Sequence, residues 1–284
     1  MSESGSSAVM STPMRILVTN DDGIHSPGLH ALAVAVVASG HEAVVAAPSS
    51  DWSGASACLG PLADPKRVPV ERVAFPVPGG STMTGSSVGA PPALISMLAD
   101  LGGFGEPPEM VVAGINRGPN TGRSTLFSGT IGAVLAGERF GWSGMAVSLD
   151  VAVPEGGGPA REDRREPHWG TAADLVRTVL PWLVAAPQPT ILNLNVPDAP
   201  RSEVRGLRSA GLAPVGGVRT IITGSDDHGL DLDLIANDRP VPEGTDSALL
   251  VTGWATITPL LPTSAVDLEL PLDGWSASLM RGGA

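Results

Sequence analysis

Asp21 and Asp22 are adjacent carboxylates in the run Asn20-Asp21-Asp22-Gly23, which follows directly on the short apolar stretch Arg15 to Thr19. Neighbouring carboxylates repel unless positive charge lies between them, and a hard divalent cation with oxygen ligands is the usual partner. The same four residue types also make an ordinary turn with a helix cap, so by themselves they do not choose between the two readings. Downstream, Gly114-Ile115-Asn116-Arg117-Gly118-Pro119-Asn120-Thr121-Gly122 pairs turn-forming glycines with the neutral oxygen and amide groups of Asn116 and Asn120. Ser128-Gly129-Thr130 then opens an Ala-rich stretch ending at Gly137. A helix starting there presents hydroxyls and backbone N–H groups to a phosphate, although Ser128 serves equally well as a plain N-cap. The loop from Pro48, SSDWSGASACLG, adds serine hydroxyls that can complete an oxygen-rich metal shell; for any single serine, solvation is the plainer reading.

These groups need elements to converge them. Arg15 to Thr19 is apolar and partly β-branched, as a buried strand should be. Pro27 to Ser39 reads as a helix stopped by Gly40, and Glu42 to Ala47 as a second strand. That βαβ unit predicts a parallel sheet with a right-handed crossover, in which ligands lie outside the carboxyl ends of the strands. Both the paired Asp residues and the Ser-rich loop leave strands at that edge. Further strands are expected at Glu109 to Ala113, Gly144 to Leu149 and Thr190 to Leu194, and further helices at Ala90 to Leu101 and His168 to Val184. Pro61 to Gly80 suggests short strands and turns, and Val151 to Arg165 a surface insertion. From Pro197 the chain becomes polar and hairpin-like to Asp246, then apolar through Ala248 to Ile257, which reads as an appended subdomain. The expected organisation is an N-terminal tail over 1–13, an α/β core over 14–196 and an extension over 197–284.

With 284 residues and 42% hydrophobic content the chain can bury a large core. A net charge of −12, with Lys66 as the one lysine, argues against nucleic-acid polymers and anionic membranes as partners. One cysteine, Cys58, excludes an internal disulfide and thiolate clusters. The Ser-rich start lacks the features of a signal peptide and no run is long enough to span a membrane, so a cytoplasmic location is expected. There is no dinucleotide fingerprint, Walker loop or paired-His zinc motif. The acids Asp226, Asp227, Asp231, Asp233 and Asp238 read as a solvated loop.

Taken in order, ILVTNDDGIHSPG, APSSDWSGAS, VVAGINRGPNTG with LFSGTIGA, and GTDSALLVTGWATITPL resemble the SurE family of metal-dependent 5′/3′-nucleotidases, over roughly Met14 to Leu260. The resemblance implies a Rossmann-like three-layer α/β/α fold with a mainly parallel sheet. It also implies a homodimer or homotetramer whose C-terminal β-rich segments exchange between protomers. One divalent ion, Mg²⁺ or Mn²⁺, falls on Asp21, Asp22, Ser53 and Asn116, an oxygen-only set that suits a hard cation better than zinc. Catalytic roles fall on Asp21, Asp22, Asn120, Ser128 and Thr130. Substrate contacts fall on Asn20, Trp52, Gly54, Asn116, Gly118, Ser128, Gly129 and Thr130.

The chain departs from the family pattern in three places. Ser49-Ser50-Asp51-Trp52 replaces Asp-Arg-Asn-Arg, Gly89-Ala90-Pro91-Pro92-Ala93-Leu94 replaces G-T-P-A-D-C, and Phe127 stands where Tyr is usual. The loss of two cations disfavours polyphosphate, and the Trp52 indole either stacks on a ring-bearing leaving group or packs on the protein's own surface. The expected activity is hydrolysis of small phosphomonoesters, above all nucleoside 5′/3′-monophosphates, with a sugar phosphate or biosynthetic intermediate as the other substrate class. Either water or Asp21 itself can be the nucleophile. The non-enzymatic reading is a phospholigand-binding dimer.

Overall fold

The structure is a computed structural model that describes residues 12–76, 82–151, 166–216, 218–236, 240–262 and 264–265. Most of the expected tail, nearly all of the expected insertion, Asp238 and the chain beyond residue 265 lie outside the described residues.

The first strand, β1 (Arg15–Thr19), is followed by α1 (Pro27–Ala38) and β2 (Glu42–Pro48), as expected. Ser26 caps α1 by accepting from the Leu29 amide at 3.1 Å, and Pro27 sits at the start, where its missing N–H is no loss. Next come β3 (Val70–Pro76), β4 (Thr82–Val88), α2 (Pro92–Asp100), β5 (Met110–Arg117), a 3-10 turn (Gly122–Phe127) and α3 (Gly129–Glu138). The chain continues through β6 (Ser143–Asp150), α4 (Trp169–Ala185), β7 (Ile191–Pro197), β8 (Leu207–Ser209), β9 (Val218–Asp226), β10 (Gly229–Ala236), α5 (Asp246–Val251) and β11 (Ala255–Leu260).

Nine of these strands form one sheet in the order β3-β4-β2-β1-β5-β6-β7-β11-β8. From β4 to β7 the neighbours are parallel; β3 and β11 pair antiparallel at either side. Alternation along β1 builds both cores. Ile16 and Val18 join Leu29, Leu32, Leu175 and Leu180 beneath α1 and α4, whereas Leu17 joins Ile95, Ile131 and Val134 beneath α2 and α3. The architecture is therefore three layers, α/β/α.

Three features depart from the sequence expectation. β4 reads as polar, TMTGSSV, yet it is an inner strand with Ser86 and Ser87 buried. Gly85 leaves the space that the Phe75 ring fills, since a Cβ there would lie 2.4 Å from the ring. β5 does not end at Ala113 but runs to Arg117 through an irregularity between Ala113 and Asn116, which re-aims the strand end as a bulge does. β11 and β8 extend the main sheet, and only β9 and β10 stand apart, as an antiparallel hairpin. Among the described residues no helix is long and apolar enough to cross a membrane.

Candidate active site

Strand order fixes the place. The chain steps from β1 to β2 on one side of β1, while β5 lies on the other, so the carboxyl ends of β1 and β5 bracket a switch point where the connecting segments diverge. Asn20, Asp21 and Asp22 leave β1 there, and Asn116 and Arg117 end β5 there.

Asp21 is 3% exposed and is held by the start of α3. The Thr130 hydroxyl donates to Asp21 Oδ1 at 2.5 Å, and the Thr130 amide adds a second bond. Gly129 allows this approach, because a Cβ there would lie 2.8 Å from Asp21 Oδ2. Burial raises the Asp21 pKa despite these donors. Asp22 is less enclosed, but its Oδ2 is buried and without a hydrogen-bond partner among the described residues. Burial first, then the Asp21 charge, pushes the Asp22 carboxyl up to about 7, against the opposing pull of the Arg117 amide and guanidinium.

The Thr130 hydroxyl, expected as a phosphate contact, is fully buried and spends its proton on Asp21. Asn20, expected as a substrate contact, is fully buried; its amide donates to the Gly23 carbonyl at 3.1 Å and Ser26 Oγ at 2.9 Å, bracing the turn, while its Oδ1 has no hydrogen-bond partner among the described residues. Ser128 is the N-cap of α3, accepting from the Ile131 amide at 3.1 Å, which leaves its own proton to donate.

The remaining sequence candidates lie at the end of β5 and on the segments that follow β2 and β5. Asn116 donates its amide to the Gly118 carbonyl at 2.7 Å, leaving Oδ1 as an acceptor. The Trp52 amide donates to the Asp21 carbonyl at 2.8 Å, which brings the Ser53-Gly54 turn next to β1. Ser53 and Gly54 are both exposed, and the Ser53 amide bonds Asp51 at 2.7 Å. The Asn120 side chain donates to Ser148 Oγ at 2.9 Å, so it is tied towards β6.

The oxygen set fits a hard cation. Two like-charged carboxylates with raised pKa values, the unpartnered Asp22 Oδ2 and the free acceptor of Asn116 all call for positive charge. Among the described residues no group of three or more His, Cys, Asp or Glu forms a metal cluster. A cation held by this pair would draw its other ligands from neutral oxygens and water, which hard divalent cations accept.

Two groups of residues were not anticipated. In β7, Asn193 and Asn195 grip the backbone of Asn120: its amide donates to Asn195 Oδ1 at 2.8 Å, and its carbonyl accepts from Asn193 at 2.8 Å and Asn195 at 3.0 Å. Asp246 holds the next turn, taking the amides of Gly122 at 2.8 Å and Ala213 at 2.9 Å. Asparagines two apart in a buried strand were the signal for the first group. Beyond these, a cleft of about 470 Å³ opens at Asp22 and is lined also by His25, Ser50, Arg117, Glu166 and Trp169. Trp52 is not among its lining residues.

Against known proteins, residues 16–215 match the family model described as Survival protein SurE. The 5′-nucleotidase SurE of Aeromonas hydrophila subsp. hydrophila is 33% identical over 252 residues, covering 87% of this chain and 92% of that protein. The 5′-nucleotidase SurE of Actinobacillus pleuropneumoniae serotype 5b is also 33% identical, over 253 residues, covering 87% and 93%. The crystal structure of the SurE protein from Aquifex aeolicus superposes with a TM-score of 0.66 at 24% identity, covering 94% of this chain and 99% of that one, a likeness of fold.

Proposed function

The chain belongs to the SurE family, and from that premise we propose that it is a phosphomonoester hydrolase of the 5′-nucleotidase type, dependent on one divalent cation, Mg²⁺ or Mn²⁺. The observation that carries the reading is the paired carboxylate at the switch point, with Asp21 clamped by the start of α3 and Asp22, whose buried Oδ2 has no hydrogen-bond partner among the described residues, lining a cleft. Asp21, Asp22, Ser53 and Asn116 would hold the cation. When bound, it supplies the positive charge that the two carboxylates lack and lowers the pKa of coordinated water.

The protein's own groups do the rest. Thr130 fixes Asp21 in one orientation and removes it from contact with solvent, which disfavours Asp21 as nucleophile and favours attack by water. Asp22, oriented by the Arg117 amide, is placed to position that water and draw on its proton. Ser128 keeps a hydroxyl proton for a phosphoryl oxygen, and Asn120 is fixed nearby by Asn193 and Asn195. We place this activity in the cytoplasm and assign residues from 197 onward, with β9 and β10, to assembly of a homodimer or homotetramer.

The test is phosphate release from AMP, GMP and glycerol 3-phosphate, each with Mn²⁺ and with Mg²⁺. Turnover of the nucleotides that vanishes with EDTA is the expected result. No release from any ester with either cation would leave a non-catalytic phospholigand-binding protein.

A further inference from the structure

Among the described residues eight buried side-chain polar atoms have no hydrogen-bond partner. Thr19 Oγ1, Asn20 Oδ1 and Asp22 Oδ2 lie at or just beyond the carboxyl end of β1, beside the proposed cation site, and Arg15 Nε lies at the other end of that strand. The remaining four are Asn193 Oδ1, Thr256 Oγ1, Thr258 Oγ1 and Ser247 Oγ, none of which is a proposed ligand of cation or phosphate. Polar atoms left bare in the interior are costly, so a group of them away from the reaction calls for a ligand of its own.

The fold brings these four to one place. Asn193 lies opposite Thr258 in the antiparallel ladder, and Asn195 opposite Thr256. Residues so paired share a face, with Cβ atoms about 5 Å apart. Leu192 and Leu194 in β7, with Ala255 and Ile257 in β11, pack into the core beneath α1 and α4, so Asn193, Thr256 and Thr258 face the other way. There α5 packs on β7 and β11, with Ser247 on its buried side. Asp246 beside it bonds Gly122, in the loop that Asn193 and Asn195 grip at Asn120. Ser247, at 7%, is the most exposed of the four residues.

Their chemistry names the ligand. Asn193 turns its NH₂ to the Asn120 carbonyl, which leaves its oxygen as an acceptor. Each of the three hydroxyls has a proton to give and lone pairs to fill. A metal ion would take the lone pairs and leave three buried protons without an acceptor, and an apolar molecule would satisfy neither. Water donates and accepts at once, through about three bonds per molecule. We infer that the compartment between β7, β11 and α5 binds ordered internal water, roughly two molecules, which holds the Asn193 side chain in the orientation that grips Asn120. Its effect on turnover, through Asn120, rests on the hydrolase reading; the water site itself does not.

Melting of the full chain, Thr256→Val and Thr258→Val comes first, because each substitution removes a hydroxyl at nearly constant volume. A hydrated hydroxyl loses a partner, so each variant should melt about 2–4 °C lower; a dry one is relieved, so an unchanged or higher melting temperature would overturn the inference. A crystal structure of the unmodified chain should show solvent within hydrogen-bond distance of Thr258 Oγ1 and Asn193 Oδ1, a measurement that needs no variant to fold. An empty compartment refutes the site, as does an ion there that raises the melting temperature in KCl or NaCl above that in choline chloride. On AMP with Mn²⁺, Thr258→Val should lower kcat about fivefold with little change in KM, and Thr258→Ser, which keeps the hydroxyl, should recover most of that loss. Equal kcat in Thr258→Val and the unmodified chain would overturn the link to Asn120. If the unmodified chain hydrolyses no ester, the hydrolase reading fails, while the melts and the solvent density still judge the water site.

Discussion

Asp22 carries two opposed demands, because its buried Oδ2 lacks a hydrogen-bond partner among the described residues and its charge is disfavoured by burial and by Asp21. Asp22→Asn should lower phosphate release at least ~10²-fold with saturating Mn²⁺, since an anionic ligand and the orientation of water go together. Turnover close to that of the unmodified chain would reject the metal assignment. The same substitution should stabilise the metal-free protein. A carboxylate whose folded pKa is raised binds its proton more tightly in the folded state, so its ionisation costs stability as pH rises from about 4 to about 7. Melting temperatures without metal should therefore diverge in favour of Asp22→Asn across that window and coincide below it. Thr130→Val removes the hydroxyl at nearly constant volume and leaves Asp21 Oδ1 short of a buried donor. Activity should fall ~10 to 10²-fold, measured as kcat, while Mn²⁺ still raises the melting temperature. An unchanged kcat would show that Asp21 needs no clamp.

At the level of elements, the loop after β5 is held from β7 and α5 as well as by bonds within its own turn. Asn195 pairs with both backbone polar groups of Asn120, as a neighbouring strand would. Asn195→Ala removes both bonds; the Asn120 carbonyl keeps its bond from Asn193 while the amide loses its acceptor, at a cost of about 1 kcal/mol or more. The melting temperature should drop, and kcat should drop further than in a control such as Leu183→Val in α4, which weakens the core without touching the loop. Parallel losses in the two variants would make the asparagines structural only. This level also shows what could be read in advance. The β1, α1 and β2 unit was legible because apolar periodicity, a Ser cap, Pro27 and Gly40 all agree locally. β4 was not, since its burial comes from neighbours and its own residues are polar. The carboxylate pair was legible as a pair. The role of Thr130 was not, because its partner Asp21 lies 109 residues away and a hydroxyl at a helix start looks the same whether it serves a phosphate or a carboxylate. Trp169 carries no local motif, and only the packing of α4 on α1 brings it to the cleft.

Across the whole molecule, the hairpin of β9 and β10 is the part that the main sheet does not explain. Among the described residues its strands pair only with each other, and a two-stranded ribbon in water is marginal without a further apolar surface. Ile222 sits directly opposite Leu232, and these two with Leu230 are 60–63% exposed. If this surface meets a second copy, the net charge of −12 on each chain opposes the contact, so the apolar residues would have to carry it with the acids kept at the rim. Light scattering of the full chain should give a dimer or tetramer mass. Leu232→Glu should shift it towards the monomer, because a buried unpaired carboxylate is costly. Since the hairpin makes no strand pairing with the sheet that carries Asp21 and Asp22, the monomer should keep the Mn²⁺-induced rise in melting temperature even where turnover falls. A monomeric unmodified chain, or an assembly indifferent to Leu232→Glu, would remove the hairpin from the interface and return its apolar residues to the ordinary surface.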